Sequence, residues 1–147
     1  MKYLYIIVPI STIIICQFIK FFVEAIITKK FNIDRLINGA GGMPSSHSSF
    51  VTSLTTIIGL TKGFDSIYFA ICLIFSLVVM YDAMGVRYET GKQAEILNVL
   101  VKGNKTFKEK TILLKEKVGH MPIEVFCGCL LGVVVALVFY YIIWQNR

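Results

Sequence analysis

The chain has only two histidines, three prolines and one tryptophan among its 147 residues, and nine acidic residues against fifteen lysines and arginines. Charge is missing altogether from some long stretches: residues 3–19, YLYIIVPISTIIICQFI, carry none. With 56% hydrophobic residues and a mean hydropathy of +0.72, an ordinary water-soluble domain is excluded and an integral membrane protein is indicated. The first run lacks the brief apolar core, polar stretch and small-residue cleavage site of a secretory leader, so it reads as an integral helix. Cysteine is sparse too. Cys16, Cys72, Cys127 and Cys129 all fall inside apolar runs. Cys127 and Cys129 stand two apart and point to different faces of a helix, which favours buried thiols over a disulfide or metal pair. Internal repeats and low-complexity tracts are absent, and a chain of this length makes one domain, residues 1–147.

What is present is a series of apolar runs. A bilayer core needs about 20 helical residues. Residues 3–28, 66–86 and 120–144 meet that need, the last interrupted early by Glu124. Residues 46–61 are apolar but short, and they carry Ser48, Ser49, Thr52, Ser53, Thr55 and Thr56. Such a helix belongs inside a bundle, where hydroxyls find backbone or neighbours. The expected fold is therefore all-α: a polytopic membrane bundle of about four embedded helices. Residues 87–119 differ, with Arg87, Lys92, Lys102, Lys105, Lys108, Lys110, Lys115 and Lys117 against Glu89, Glu95, Glu109 and Glu116. Apolar residues recur at helical spacing from Ala94 to Val101 and again around Ile112 to Val118. With Gly103-Asn104 as the break, this predicts an insertion of two amphipathic helices.

The basic residues also set an orientation. With four crossings, residues 28–47 and 87–119 share one side, which owns Lys29, Lys30, Arg35 and the eight basic residues above. The other side has Lys2, Lys62 and Arg147. The positive-inside bias places the basic loops in the cytosol and both termini outside, in the cell membrane. A formal charge of +6 that flanks spans, without an aromatic reading surface, fits an anionic membrane surface and not nucleic acid. A bundle this small is compatible with a homo-oligomer.

The same topology gathers the scarce polar residues. Lys20 falls near the cytosolic end of the first helix and His47 at the start of the second. Asp82 and Arg87 mark the end of the third, and His120 and Glu124 the start of the fourth. Ionisable groups at membrane depth are costly unless they pair or work. His120 and Glu124 are one helical turn apart, so the carboxylate can orient an imidazole for nucleophilic attack or simply make a structural hydrogen bond. In GGMPSSHSS, residues 41–49, Gly41 and Gly42 let the backbone turn and Pro44 suits a first helical turn. Bare amides there, with Ser45 and Ser46, favour an anion, and His47 could give a proton to a leaving oxygen; an ordinary capped helix start reads the same stretch equally well. Arg87 and Lys20 could neutralise phosphate oxygens or snorkel to the interface. Asp82 reads as a supporting partner for one of them, and Lys92, Gln93, Glu95 and Asn98 as a cover for the site or part of a solvated face. The polar set lacks the close His/carboxylate spacing of a dedicated metal site, and no cofactor is expected.

Three stretches, GGMPSSHSS, YDAMGVRYETGKQAEILN (81–98) and VGHMPIEVFCGCLLG (118–132), together resemble the divergent branch of the type-2 phosphatidic acid phosphatase family, which is related to vanadium haloperoxidases. The resemblance implies a histidine nucleophile at His120 with Glu124 as its carboxylate partner, where the parent motif has aspartate. It implies a general acid at His47, a phosphate turn at Ser45 and Ser46 (the parent has glycine at the latter), and phosphate-binding roles for Lys20 and Arg87. Four features depart from the parent: the basic insertion separates Arg87 from His120, the arginine-proline pair that follows the lysine is missing, there are fewer helices than the parent's usual six, and the charge bias puts the site in the cytosol where many parent lipid phosphatases work on the extracytoplasmic face. The implied function is a metal-independent membrane phosphatase acting on a phosphomonoester or pyrophosphate, of a lipid, at the cytosolic leaflet. The alternative is a non-catalytic protein that binds or translocates a phosphorylated lipid on the same scaffold.

Overall fold

Runs without charge become long helices. In a computed structural model, which describes residues 3–29, 42–103, 113–116 and 118–145, five helices follow one another. They are α1 Leu4–Thr28, α2 Ser46–Lys62, α3 Ile67–Met84, α4 Val86–Gly103 and α5 Pro122–Gln145. No strand occurs among the described residues. The expected embedded helices coincide with α1, α2, α3 and α5 to within a few residues. Three stretches are long and apolar enough to cross a membrane: Leu4–Ile26, Ile67–Gly103 and Pro122–Ile143.

The outer faces are apolar and unpartnered within the chain. Ile10, Ile14, Phe18 and Phe22 recur every fourth residue on α1, and Ile67, Ile71, Ile74, Val78 and Tyr81 line α3. On α5 the row is Ile123, Phe126, Leu130, Val134, Val138 and Tyr141. In water this surface would drive association; against hydrocarbon it is solvated. What α3 buries is small: Ser76 and Ala83.

α2 is the axis, packed against α1, α3 and α5. At 17 residues it is roughly 26 Å long, a little less than the ~30 Å hydrocarbon core. Ser48, Ser49, Val51, Ser53, Thr55, Ile57 and Gly59 are buried along it. The seam with α5 is closed by glycine. A Cβ on Gly128 would lie 2.5 Å from the Ser45 carbonyl oxygen, and one on Gly132 would lie 2.5 Å from that of Ser49. Small residues four apart bring the two backbones together, which is the main source of attraction where solvent and side chains are equally apolar. On the opposite side the Thr55 and Ser76 hydroxyls, 2.7 Å apart, share the carbonyl oxygens of Val51 and Cys72. At the far end Tyr5 and Thr61 hydroxyls meet at 3.1 Å over a core of Leu4, Val8, Ile57 and Ala136.

The basic insertion differs from the expectation in its second half. α4 is described as far as Gly103, the expected break at Gly103-Asn104 runs into residues outside the described ones, and residues 113–116 are not helical. The reason is Asn98, whose side chain takes both backbone groups of Leu114 and holds the chain along α4. Lys2, Lys30, Arg35, Gly41, Lys105, Lys108, Glu109, Lys110, Lys117 and Arg147 lie outside the described residues.

Candidate functional site

Because successive helices of the bundle alternate in direction, the ends of α1 and α3 and the starts of α2 and α5 meet at one end. Two backbone bonds stitch that end together. The Ser45 N–H donates to the Glu124 carbonyl at 2.9 Å, and the His120 N–H donates to the Ala83 carbonyl at 3.0 Å. Ser45 caps α2, its hydroxyl accepting from the Ser48 amide at 3.4 Å and from the Ser48 hydroxyl at 3.0 Å. Pro44 precedes this cap, so it turns the chain into the helix and does not occupy the first helical turn as expected. The amides of Ser46 and His47 are first-turn donors that no helix carbonyl can reach.

His120 sits just ahead of α5 and is 3% exposed. A histidine so buried needs a partner, and Glu124 supplies it: Nδ1 lies 2.9 Å from Oε2, which also accepts from the Met121 amide at 3.1 Å. With Nδ1–H donating to the carboxylate, Nε2 carries the lone pair. Burial holds the His120 pKa below its ordinary value; Glu124 pulls the other way, and the positive charges of Lys20 and Arg87 add to the lowering. The imidazole is therefore neutral near pH 7 and able to act as a nucleophile.

The other expected residues surround it. The His47 ring, exposed on the first turn of α2, has its centroid 6.1 Å from that of His120, with the planes at 63°. Lys20 reaches across from α1 to donate to the Ser46 hydroxyl at 3.2 Å. Arg87 pairs through Nε with Asp82, as the supporting reading of Asp82 anticipates. Both members of that pair are well exposed, so it orients Arg87 more than it stabilises the fold. A groove of about 310 Å³ runs from His47, Asp82 and Arg87 down the apolar wall of Val78, Val79 and Ala83. On the opposite flank of Glu124 a cleft of about 320 Å³ is lined by Gly42, Lys92, Glu95 and Glu116 among others. Gly42 has a positive φ of 85° there. Lys92 bonds to Glu89 at 2.9 Å and lies 4.5 Å above the Tyr88 ring, on the wall of the cleft that Glu124 also lines. Among the described residues no three His, Cys, Asp or Glu side chains gather as a metal site would require.

Three features escape a reading by residue type. Ser45 bonds to the backbone of Glu124, Gly119 lies against the backbone of Tyr88, and Asn98 holds Leu114. Their only sequence signals are an asparagine in the apolar run ILNVL and a glycine directly before His120.

Residues 1–135 of the chain match the Divergent PAP2 family over nearly its whole length. The chain belongs to that family. Within the Divergent PAP2 family it is 42% identical over 144 residues to the uncharacterized membrane protein YuiD of Bacillus subtilis (strain 168), with 90% of each chain covered. No solved structure matches it.

Proposed function

We propose that the chain is a membrane phosphohydrolase that releases phosphate from a phosphomonoester or pyrophosphate, of a lipid, using His120 as nucleophile. The observation that carries this reading is the pairing of a buried, carboxylate-held imidazole with a second, exposed imidazole 6.1 Å away. In the first step the Nε2 lone pair of His120 forms a bond to phosphorus, and the bond from phosphorus to the leaving oxygen breaks. The leaving oxygen takes its electron pair and a proton from the His47 imidazolium. Glu124 stabilises the charge that develops on His120. In the second step water attacks the phosphohistidine, passes its proton to His47, and the N–P bond breaks to free phosphate and neutral His120.

Lys20, Arg87, the Ser46 hydroxyl and the first-turn amides of α2 are placed to meet the phosphoryl oxygens, and this charge stabilisation supplies much of the rate in phosphoryl transfer. The groove below His47 and Arg87 supports a lipid leaving group: its head is polar and its wall of Val78 and Val79 is apolar. The concentration of lysine and arginine on the α4 side supports a site at the cytosolic leaflet.

The test is phosphate release by the purified protein in detergent, across lipid and soluble phosphates. His120→Ala is expected to bring release to background, and His47→Ala to lower it by about 10²–10⁴-fold, the usual worth of a general acid. Binding of a phospholipid with no release from any substrate would replace hydrolysis with carriage of the lipid.

A further inference from the structure

His120 is delivered to the site by the segment that returns along α4, and one side chain fastens that segment. Asn98 is 3% exposed, although its neighbours Ile96, Leu97, Val99 and Leu100 all point outward. Its Nδ2 donates to the Leu114 carbonyl at 2.8 Å and to Glu116 Oε1 at 2.9 Å. Its Oδ1 accepts from the Leu114 amide at 2.8 Å. One carboxamide thus satisfies both backbone groups of Leu114, as an adjacent strand would. Nearer the site, main chain lies directly on main chain. A Cβ on Gly91 would fall 2.4 Å from the Glu116 carbonyl oxygen, and one on Gly119 would fall 2.3 Å from the Tyr88 nitrogen. The next residue is His120, whose N–H reaches Ala83. The described part of the segment is therefore pinned in turn by Asn98, by the two glycines and by α3.

We infer that Asn98 is a positioning residue for His120. Its clasp on Leu114 and Glu116 fixes the segment that ends at the histidine, and so sets the burial and aim of that ring relative to Arg87, which α4 itself carries. The catalytic consequence rests on the proposed role of His120; the positioning rests on the contacts alone. A side chain that only steadied α4 would change the melting temperature and leave the His120 ring as inaccessible as before.

The deciding measurement is the rate at which diethyl pyrocarbonate modifies each histidine in the full-length, detergent-solubilised protein, read by peptide mass spectrometry. In the native protein His120 reacts much more slowly than the exposed His47. Asn98→Ala is expected to raise the His120 rate by about tenfold through local opening, with little change at His47 and a retained cooperative melt. Asn98→Asp sets a carboxylate against Glu116 and has the same effect. Adding Glu116→Gln to that variant lets a carboxamide donate to the new carboxylate and restores part of the protection, the Leu114 carbonyl still lacking its donor. Where phosphate release is measurable, Asn98→Ala lowers kcat more than it raises KM. If the native protein releases no phosphate, the hydrolase reading falls while the protection pattern still decides the role of Asn98. A folded Asn98→Ala protein with unchanged His120 reactivity overturns the inference. Should Asn98→Ala not fold, a double variant no better protected than Asn98→Asp alone overturns it equally.

Discussion

His120 joins a stability problem to a chemical one. Its imidazole is held below the ordinary histidine pKa of 6.5 by burial, and Glu124 only partly offsets this. The unfolded chain therefore binds more protons than the folded chain once the pH falls through 6.5, and stability declines with it. The thermal midpoint in detergent is expected to fall as the pH is lowered from neutrality through that value, and His120→Gln to flatten the fall. An unchanged acid slope in His120→Gln would assign it to other groups. The acid limb of kcat/KM reports the same group in the free protein, so its midpoint is expected below 6.5. Replacing the carboxylate, as in Glu124→Gln, removes a contribution that favours the imidazolium. The limb then moves lower still while kcat drops.

At the scale of the helices, much of the architecture can be read in one dimension. Uncharged runs locate the elements, because hydrophobic length acts locally. The gathering of Lys20, His47, Arg87 and His120 also follows once the helices alternate in direction. Pro44 and residues 113–116 are the exceptions, and both are governed by partners far along the chain. Ser45 bonds to the backbone of Glu124 and Leu114 to the side chain of Asn98, and neither pairing leaves a periodic trace. The α2–α5 seam is similarly hidden, since Gly128 and Gly132 acquire meaning only opposite Ser45 and Ser49. Gly132→Val is expected to cost about 1–3 kcal/mol by overpacking that seam. Gly103→Ala, with nothing among the described residues within 4 Å of the added methyl, is expected to be neutral or to stabilise by up to about 1 kcal/mol. Equal melting of the two variants would mean that the seam yields to a branched side chain, contrary to its spacing.

For the whole molecule the open question is which way the bundle faces. Thr90 and Lys102 are exposed on α4, at the candidate-site end, and Lys62 is exposed at the end of α2 on the opposite side. A membrane-impermeant maleimide is expected to label Thr90→Cys and Lys102→Cys in inverted vesicles but not in intact cells, and Lys62→Cys in the reverse pattern. The opposite labelling would move the site to the outer leaflet and with it the pool of lipids it can meet.

The central place of α2 bears on how the protein is made. A short segment crowded with hydroxyls gains little by passing from the insertion machinery into lipid alone, so it waits for its neighbours to shield it. Of its neighbours α5 is made after α1 and α3, and α5 brings the glycine seam and Glu124 together. A ribosome stalled before residue 120 would leave behind a half-sheltered polar helix and no pocket. Completion of the bundle and assembly of the candidate site are thus a single event.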